Sequence, residues 1–315
     1  ENMVIYPHGA AARRPGTQYV AEVKTSANST RIIPFEFNTE QTYILELGNL
    51  YMRFYRDNGQ ILEGNKTITA ITKANPGVIT CSSHDYLTGD EINISSIVGM
   101  TELNNKRFLV VKIDANTFSL TNVDGVAINT TNFTTYGSAG TMNRVFQITT
   151  TYTTAEIFDL KFAQSADVMY ITHPNHQTRK LSRTGHTSWT LAAVEFTNGP
   201  FLDTNVSTTT LTPASAGVGT GVNVTASAVA GVNGGSGFLT TDVGRQIRIG
   251  DGYGIITART NTTVVVVTVT TAFANTNANT DWSLGAFSTT TGFPSCVSFF
   301  EQRLVFAASI NNPQT

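Results

Sequence analysis

Hydrophobic and polar positions alternate with period two along much of this chain. The alternation is plainest at residues 168–173, where Val168, Tyr170 and Thr172 share one face and Met169, Ile171 and His173 the other. Successive side chains of a pleated strand point to opposite faces, so this spacing predicts a strand. Four such runs, 158–162, 168–173, 178–183 and 189–196, are separated by Ser165-Ala166-Asp167, Pro174-Asn175-His176 and Thr184-Gly185-His186. These are turn-forming residues, and four strands so joined predict an antiparallel meander the size of one propeller blade.

A second meander is predicted near the start, at 32–37, 43–47 and 50–55. Its linkers are Asn38-Thr39-Glu40-Gln41 and Gly48-Asn49, and Asp57-Asn58-Gly59 ends it. The texture changes after Gly64. Strands are expected at 67–71, 78–81, 91–94, 107–113 and 117–121, with Gly77, Gly89, Gly99 and Gly125 at turns. Residues 64–145 read as a small β-barrel inserted in the surrounding fold, because 51–62 and 145–151 would continue one sheet without it. Lengthening an exposed turn costs little entropy, so such insertions are tolerated.

Residues 206–283 read as a second inserted β-module. It has a Thr/Gly/Ala-rich stretch to 237, then strands at 246–249, 253–258 and 262–270. A hairpin at 296–300 and 304–308 begins a further blade. The predicted class is all-β: a partial β-propeller of four-stranded meander blades with two inserted small β-barrel or sandwich modules. The divisions fall at 1–63, 64–145, 146–205, 206–283 and 284–315, and no helix is predicted.

Composition narrows the function. The 315 residues carry only 13% charged side chains and a net charge of −2. A sequence-independent nucleic-acid binder neutralises phosphates and is normally basic, so direct, tight DNA binding is not expected. Cys81 and Cys296 are too few for a disulfide framework and are expected as buried thiols. Apolar runs such as 264–267 are far too short to span a membrane. The opening Glu1-Asn2-Met3-Val4-Ile5-Tyr6 reads as a strand and not as a signal peptide. Both ends are expected to be cut from a longer product.

Candidate chemistry is sparse. His173, His176 and His186 suggest a metal site, but they fall at a strand end and in two turns, with no Cys or Asp at ligand spacing, which favours packing roles. Glu36 and Glu46 on adjacent strands suggest a glycosidase pair, which any all-β chain offers by chance. Ser182 and Ser188 near His186 lack a nucleophile-elbow pattern. Arg13, Arg14, Lys24 and Arg31 form a modest basic cluster that suits a solvated surface. Gly250-Asp251-Gly252-Tyr253-Gly254 lacks the following helix of a phosphate loop and reads as a β-turn. The chain is therefore expected to be no enzyme, with no catalytic residue, cofactor or metal.

Several stretches together resemble a family. They are Tyr6-Pro7-His8-Gly9 with Arg13-Arg14-Pro15-Gly16-Thr17, Ile33-Pro34-Phe35-Glu36-Phe37 with Tyr43-Ile44-Leu45-Glu46, Ala166-Asp167-Val168-Met169-Tyr170 with Leu181-Ser182-Arg183, and Gly292-Phe293-Pro294-Ser295 with Glu301-Gln302-Arg303-Leu304-Val305-Phe306. They resemble the nozzle protein (tail tubular protein B) of short-tailed bacteriophages. Residues 64–145 resemble the small β-barrel named after the first catalytic cysteine half-domain (FCCH) of ubiquitin-activating enzymes, a module that recurs in phage proteins without that chemistry.

The nozzle resemblance implies a structural virion protein of the tail: a hexameric ring of propellers forming a channel for genome ejection. Its partners would be its own copies, a tail adaptor, and fibres or spikes, with DNA passing through without specific binding. The low charge and Thr/Asn-rich surface equally suit a surface-binding adhesin or lectin-like propeller.

Overall fold

The computed structural model describes residues 3–14, 16–38 and 41–311. Glu1, Asn2, Pro15, Thr39, Glu40 and the closing Asn312-Pro313-Gln314-Thr315 lie outside the described residues, and so do the expectations placed on them. The described residues form strands and three short 3-10 turns, with no α-helix. The all-β expectation is correct. The sheets are curled, and two of them draw their own edges together. The chain divides into two compact units: Glu1–Pro34, Thr42–Gly48 and Met52–Gln147 make the first, and Phe35–Gln41, Asn49–Tyr51 and Ile148–Thr315 the second.

The chain opens with a two-stranded antiparallel sheet, β1 (Met3–Ile5) and β2 (Ala11–Arg13). Next come β3 (Arg31–Glu36), β4 (Thr42–Gly48), β5 (Tyr51–Arg56) and β6 (Gly59–Gln60). The β5–β6 turn holds Asp57 and Asn58 at φ 51° and 60°, the left-handed conformation in which Asn and Asp are the commonest non-glycine residues.

A curled sheet follows, from β7 (Lys66–Thr67), β8 (Ala70–Ile71), β9 (Val78–Thr80), β10 (Glu91–Val98), β11 (Lys106–Lys112), β12 (Thr117–Thr121) and β13 (Ser138–Arg144). Its order is β7-β13-β10-β11-β12-β9-β8, so consecutive β7 and β8 occupy opposite edges. Thr67 and Ala70 are three positions apart, which forces those edges within roughly 10 Å of each other. The linking peptide bonds to both sides: Ile68 N–H donates to Gly140 and Thr69 N–H to Thr80. Inside lie Ile79, Ile92, Ile94, Met100, Val110, Phe118, Leu120 and Met142. Each large apolar side chain buried this way contributes about 1.5–3 kcal/mol.

The chain leaves this sheet where Leu62 bridges Val145, and β14 (Gln147–Thr149) then lies beside β5 in the order β14-β5-β4-β3. The predicted single run at 67–71 is two short strands, because its middle residues serve the two edges.

The second unit contains the meander β15 (Lys161–Ser165), β16 (Val168–His173), β17 (His176–Gly185) and β18 (Ser188–Ala193), paired in sequence order. The first of these starts later than the predicted 158–162, because residues 153–159 are taken up by a hydrogen-bonded turn. Met169, Ile171 and Leu181 are buried, and Phe35 meets Trp189 edge-to-face at 4.8 Å.

A six-stranded sheet follows: β19 (Leu211–Pro213), β20 (Gly219–Ala226), β21 (Gln246–Ile249), β22 (Gly252–Arg259), β23 (Val264–Thr271) and β24 (Trp282–Leu284), ordered β19-β20-β23-β22-β21-β24. Val265, Val267 and Val269 alternate inward along β23, the fit of β-branched residues to a half-buried pleat. Leu211 and Asn279 exchange both peptide hydrogen bonds, and the Trp282 indole N–H donates to the Thr209 carbonyl, so this sheet also curls. Strands β25 (Cys296–Phe300) and β26 (Arg303–Ala307) make a final hairpin.

Cys296 corrects one expectation: it is exposed at the head of β25, whereas Cys81 is buried. A two-stranded hairpin buries one face at most, so its first residue has nothing to cover it.

Candidate functional site

The two-residue turn Pro174-Asn175 joins β16 to β17 and makes His173 and His176 a directly opposed pair. Directly opposed residues of an antiparallel pair share a face with their Cβ atoms about 4.5–5.5 Å apart. The ring centroids are 5.1 Å apart. The expectation that His176 sits in a separate turn is therefore corrected: pairing runs to the turn itself, and His176 opens β17. His186 lies at the other end of that strand, exposed, and its carbonyl accepts the Trp189 indole N–H.

The missing third member is Glu156. It sits in a turn in which the Glu156 and Ile157 N–H groups donate to the Thr153 carbonyl. Its Oε2 accepts from the Thr153 peptide N–H at 3.0 Å and hydroxyl at 2.8 Å. Its Oε1 lies 3.0 Å from His176 Nε2. One donor atom each from Glu156, His173 and His176 lies within 4.8 Å of the other two. Thr153-Thr154-Ala155-Glu156 has the spacing of a capping box, and that was the sequence signal available for Glu156.

Burial and local hydrogen bonds together set the electrostatics around the cluster. Burial pushes the His173 pKa down, and the neighbouring His176 adds to the effect against Glu156 and Asp159. Burial pushes the Glu156 pKa up, but the Thr153 hydrogen bonds and His176 outweigh it and hold the carboxyl at about 2. Asn175 N–H donates to His173 Nδ1 at 3.2 Å, which leaves the proton of the neutral ring on Nε2. Tyr152, buried and edge-on to His176 at 5.2 Å, closes one side.

His176 also lines a cavity of about 300 Å³. Arg179, Glu195 and Gln246 are among its lining residues, and Phe196 and Phe287 pack together on its wall with centroids 5.3 Å apart; the Gln246 amide is engaged by the Phe196 carbonyl and the Gly199 N–H.

The other candidates are accounted for by local structure. Glu46 is buried and accepts from the Tyr55 hydroxyl, while Glu36 is exposed and its backbone bonds the Gln164 amide. Ser188 pairs its hydroxyl with Thr184 at 2.7 Å, and Ser182 stands opposite Thr190 in the β17–β18 ladder. Arg13 and Arg14 are exposed. Lys24 is half-buried, and desolvation lowers its pKa against the pull of Asp90, Glu91 and Glu46. Gly250 and Asp251 form the two-residue turn of the β21–β22 hairpin. A Cβ on Gly254 would come within 2.5 Å of the Thr268 carbonyl, so close strand packing accounts for that glycine. Within the seven-stranded sheet, burial raises the pKa of the Cys81 thiol and keeps it protonated.

Comparison with known proteins adds one positive finding. The model of the ubiquitin-activating enzyme E1 FCCH domain matches residues 74–145, which fall within the seven-stranded sheet. The module is similar to an E1 FCCH domain. Ubiquitin-like modifier-activating enzyme 1 of Oryctolagus cuniculus is 34% identical over 82 residues, and that of Homo sapiens 33% over the same length. The match takes in 25% of this chain and 7% of either relative. The expected membership of the nozzle family is overturned by this finding. The sequence similarity found lies with the FCCH domain over a short stretch, and it brings no nozzle protein with it.

Proposed function

We propose that this chain is a non-catalytic surface-binding protein whose second unit takes a hydroxyl-rich ligand such as a glycan. The cavity carries the reading. Its lining holds a guanidinium and a carboxylate, Arg179 and Glu195, suited to pairing with hydroxyls, and two packed aromatic rings offer an apolar face. The FCCH-like module serves as a structural part, consistent with the buried, protonated Cys81. The meander β15–β18 serves as a propeller-type blade, with β25–β26 beginning another.

The test is binding of the tag-free chain to a glycan array, followed by titration calorimetry on any hit. Arg179→Ala and Phe287→Ala are expected to abolish binding while circular dichroism stays unchanged. No bound glycan, or binding unaffected by both changes, refutes the reading.

A second reading is a structural component of a self-assembling surface such as a virion. It is favoured by the exposed Phe300 and Val305, which share one face of the two-stranded β25–β26, an apolar display of the kind that marks interaction surfaces. Light scattering behind size exclusion tests it: a monomer at all concentrations removes it.

A further inference from the structure

From their placement we infer that Glu156, His173 and His176 form a binding site for one borderline divalent cation of the zinc type. The donor set is right for that class, since imidazole nitrogen and carboxylate oxygen are ordinary zinc ligands. Spacing agrees. Metal–ligand distances of about 2.0–2.2 Å put tetrahedral donors roughly 3.3–3.5 Å apart. Here the three donor atoms lie within 4.8 Å of one another and one pair is already at 3.0 Å. Small side-chain rotations complete the approach.

The supports are built in. The histidines are fixed as a cross-strand pair by a two-residue turn. Thr153 holds Glu156 Oε2 with two hydrogen bonds, which turns Oε1 toward the rings. Such outer partners orient ligands and typically contribute about 10- to 100-fold in metal affinity. His173 is almost wholly buried and His176 lines the cavity, so the cation would sit at the cavity wall with protein behind it. A cation on either nitrogen of His173 costs the 3.2 Å bond from Asn175 N–H, because Nδ1 is then occupied by the metal or by the proton displaced from Nε2. That bond is long, so the cost is small.

The inference stands apart from the glycan reading and is tested without any sugar. Tag-free chain, stripped with chelator, is titrated with Zn²⁺ by calorimetry and with Co²⁺ by visible absorption. One equivalent of either ion is expected. His176→Gln and Glu156→Gln should each weaken binding by more than 100-fold, Thr153→Val by about tenfold, and His186→Ala not at all. The first two remove partly exposed side chains, so circular dichroism should confirm that they fold even where a His173 variant does not. Absence of a bound equivalent in the wild type overturns the inference, as does full binding in folded His176→Gln or Glu156→Gln.

Discussion

Replacing Glu91 by Ala tests how the first unit holds buried charge. Glu91 Oε2 lies 2.8 Å from Arg53 Nη1, and its Oε1 lies 2.9 Å from Arg107 Nη1. The side chains of Arg53 and Glu91 are 1% and 5% exposed, whereas Arg107 is 24% exposed and also reaches Gln60 Oε1 at 2.8 Å. Arg53 therefore dominates the cost. Its Nε also donates to Gln147 Oε1 at 3.4 Å, a long bond. Removing one partner of a buried pair costs about 3–5 kcal/mol, because the remaining charge stays desolvated. Replacing both by apolar residues of similar volume is often neutral or stabilising by about 1–4 kcal/mol.

The expectation is thus opposite in sign for two variants at one place. Glu91→Ala should speed exchange of the β10 and β11 amides by roughly 10²- to 4×10³-fold, at about 1.4 kcal/mol per decade. It should also lower the urea midpoint of this unit by about 1–3 M. The double variant Arg53→Met with Glu91→Leu should stay within about 1 kcal/mol of the wild type or exceed it. A single variant with wild-type exchange refutes the reasoning, as does a double variant no better than the single.

Other expectations follow from the same geometry. Under native conditions a maleimide should label Cys296 quickly and leave Cys81 unmodified until the chain is denatured, read by intact mass; early double labelling would contradict the burial. Gly140→Ala should destabilise the seven-stranded sheet by about 1–3 kcal/mol. Gly140 has φ 105° and an added Cβ would lie 2.8 Å from Ile97 Cγ1, so the earliest sign should be faster exchange at the Ile68 amide. With chelator present, Glu156 should contribute stability that is full above its ordinary value of 4.5 and lost as pH falls toward about 2. Its folded pKa is the lower of the two, so folding favours the ionised form. Glu156→Gln should flatten the acid limb of a stability–pH curve over that window, and an unchanged limb would count against the assignment.

Strands were legible wherever alternation met a clear turn. Residues 117–121, 168–173, 246–249 and 296–300 form strands over those spans. Strands β13, β19 and β20 were not foreseen. In β13 the small Ser, Ala, Gly and Thr side chains suit either face and weaken the period-two signal; β19 is only three residues long, and the alternation of Val222, Val224 and Ala226 in β20 is short and set in a Gly/Thr-rich stretch. The candidate site was half legible. His173-Pro174-Asn175-His176 contains both rings and the turn that opposes them, but the turn was read as separating them. Glu156 lies 17 positions earlier, and only the return of β16 and β17 past the 153–159 turn brings it to the rings. No local pattern encodes that approach.

Relatives and chemistry occupy different parts of the chain. The FCCH similarity ends at residue 145, whereas the cavity lining begins at Thr151 and the ligand cluster at Glu156. Inside the matched stretch the one thiol, Cys81, is buried and protonated, and His84 is committed. Its Nδ1 accepts the Tyr86 N–H, and its Nε2 is bonded to the Asp114 carbonyl. The core residues there, Ile79 to Met142, are those a curled sheet needs in order to close. On the proposed readings, binding resides at Glu156, His173, His176 and the cavity beside them, all outside the matched stretch.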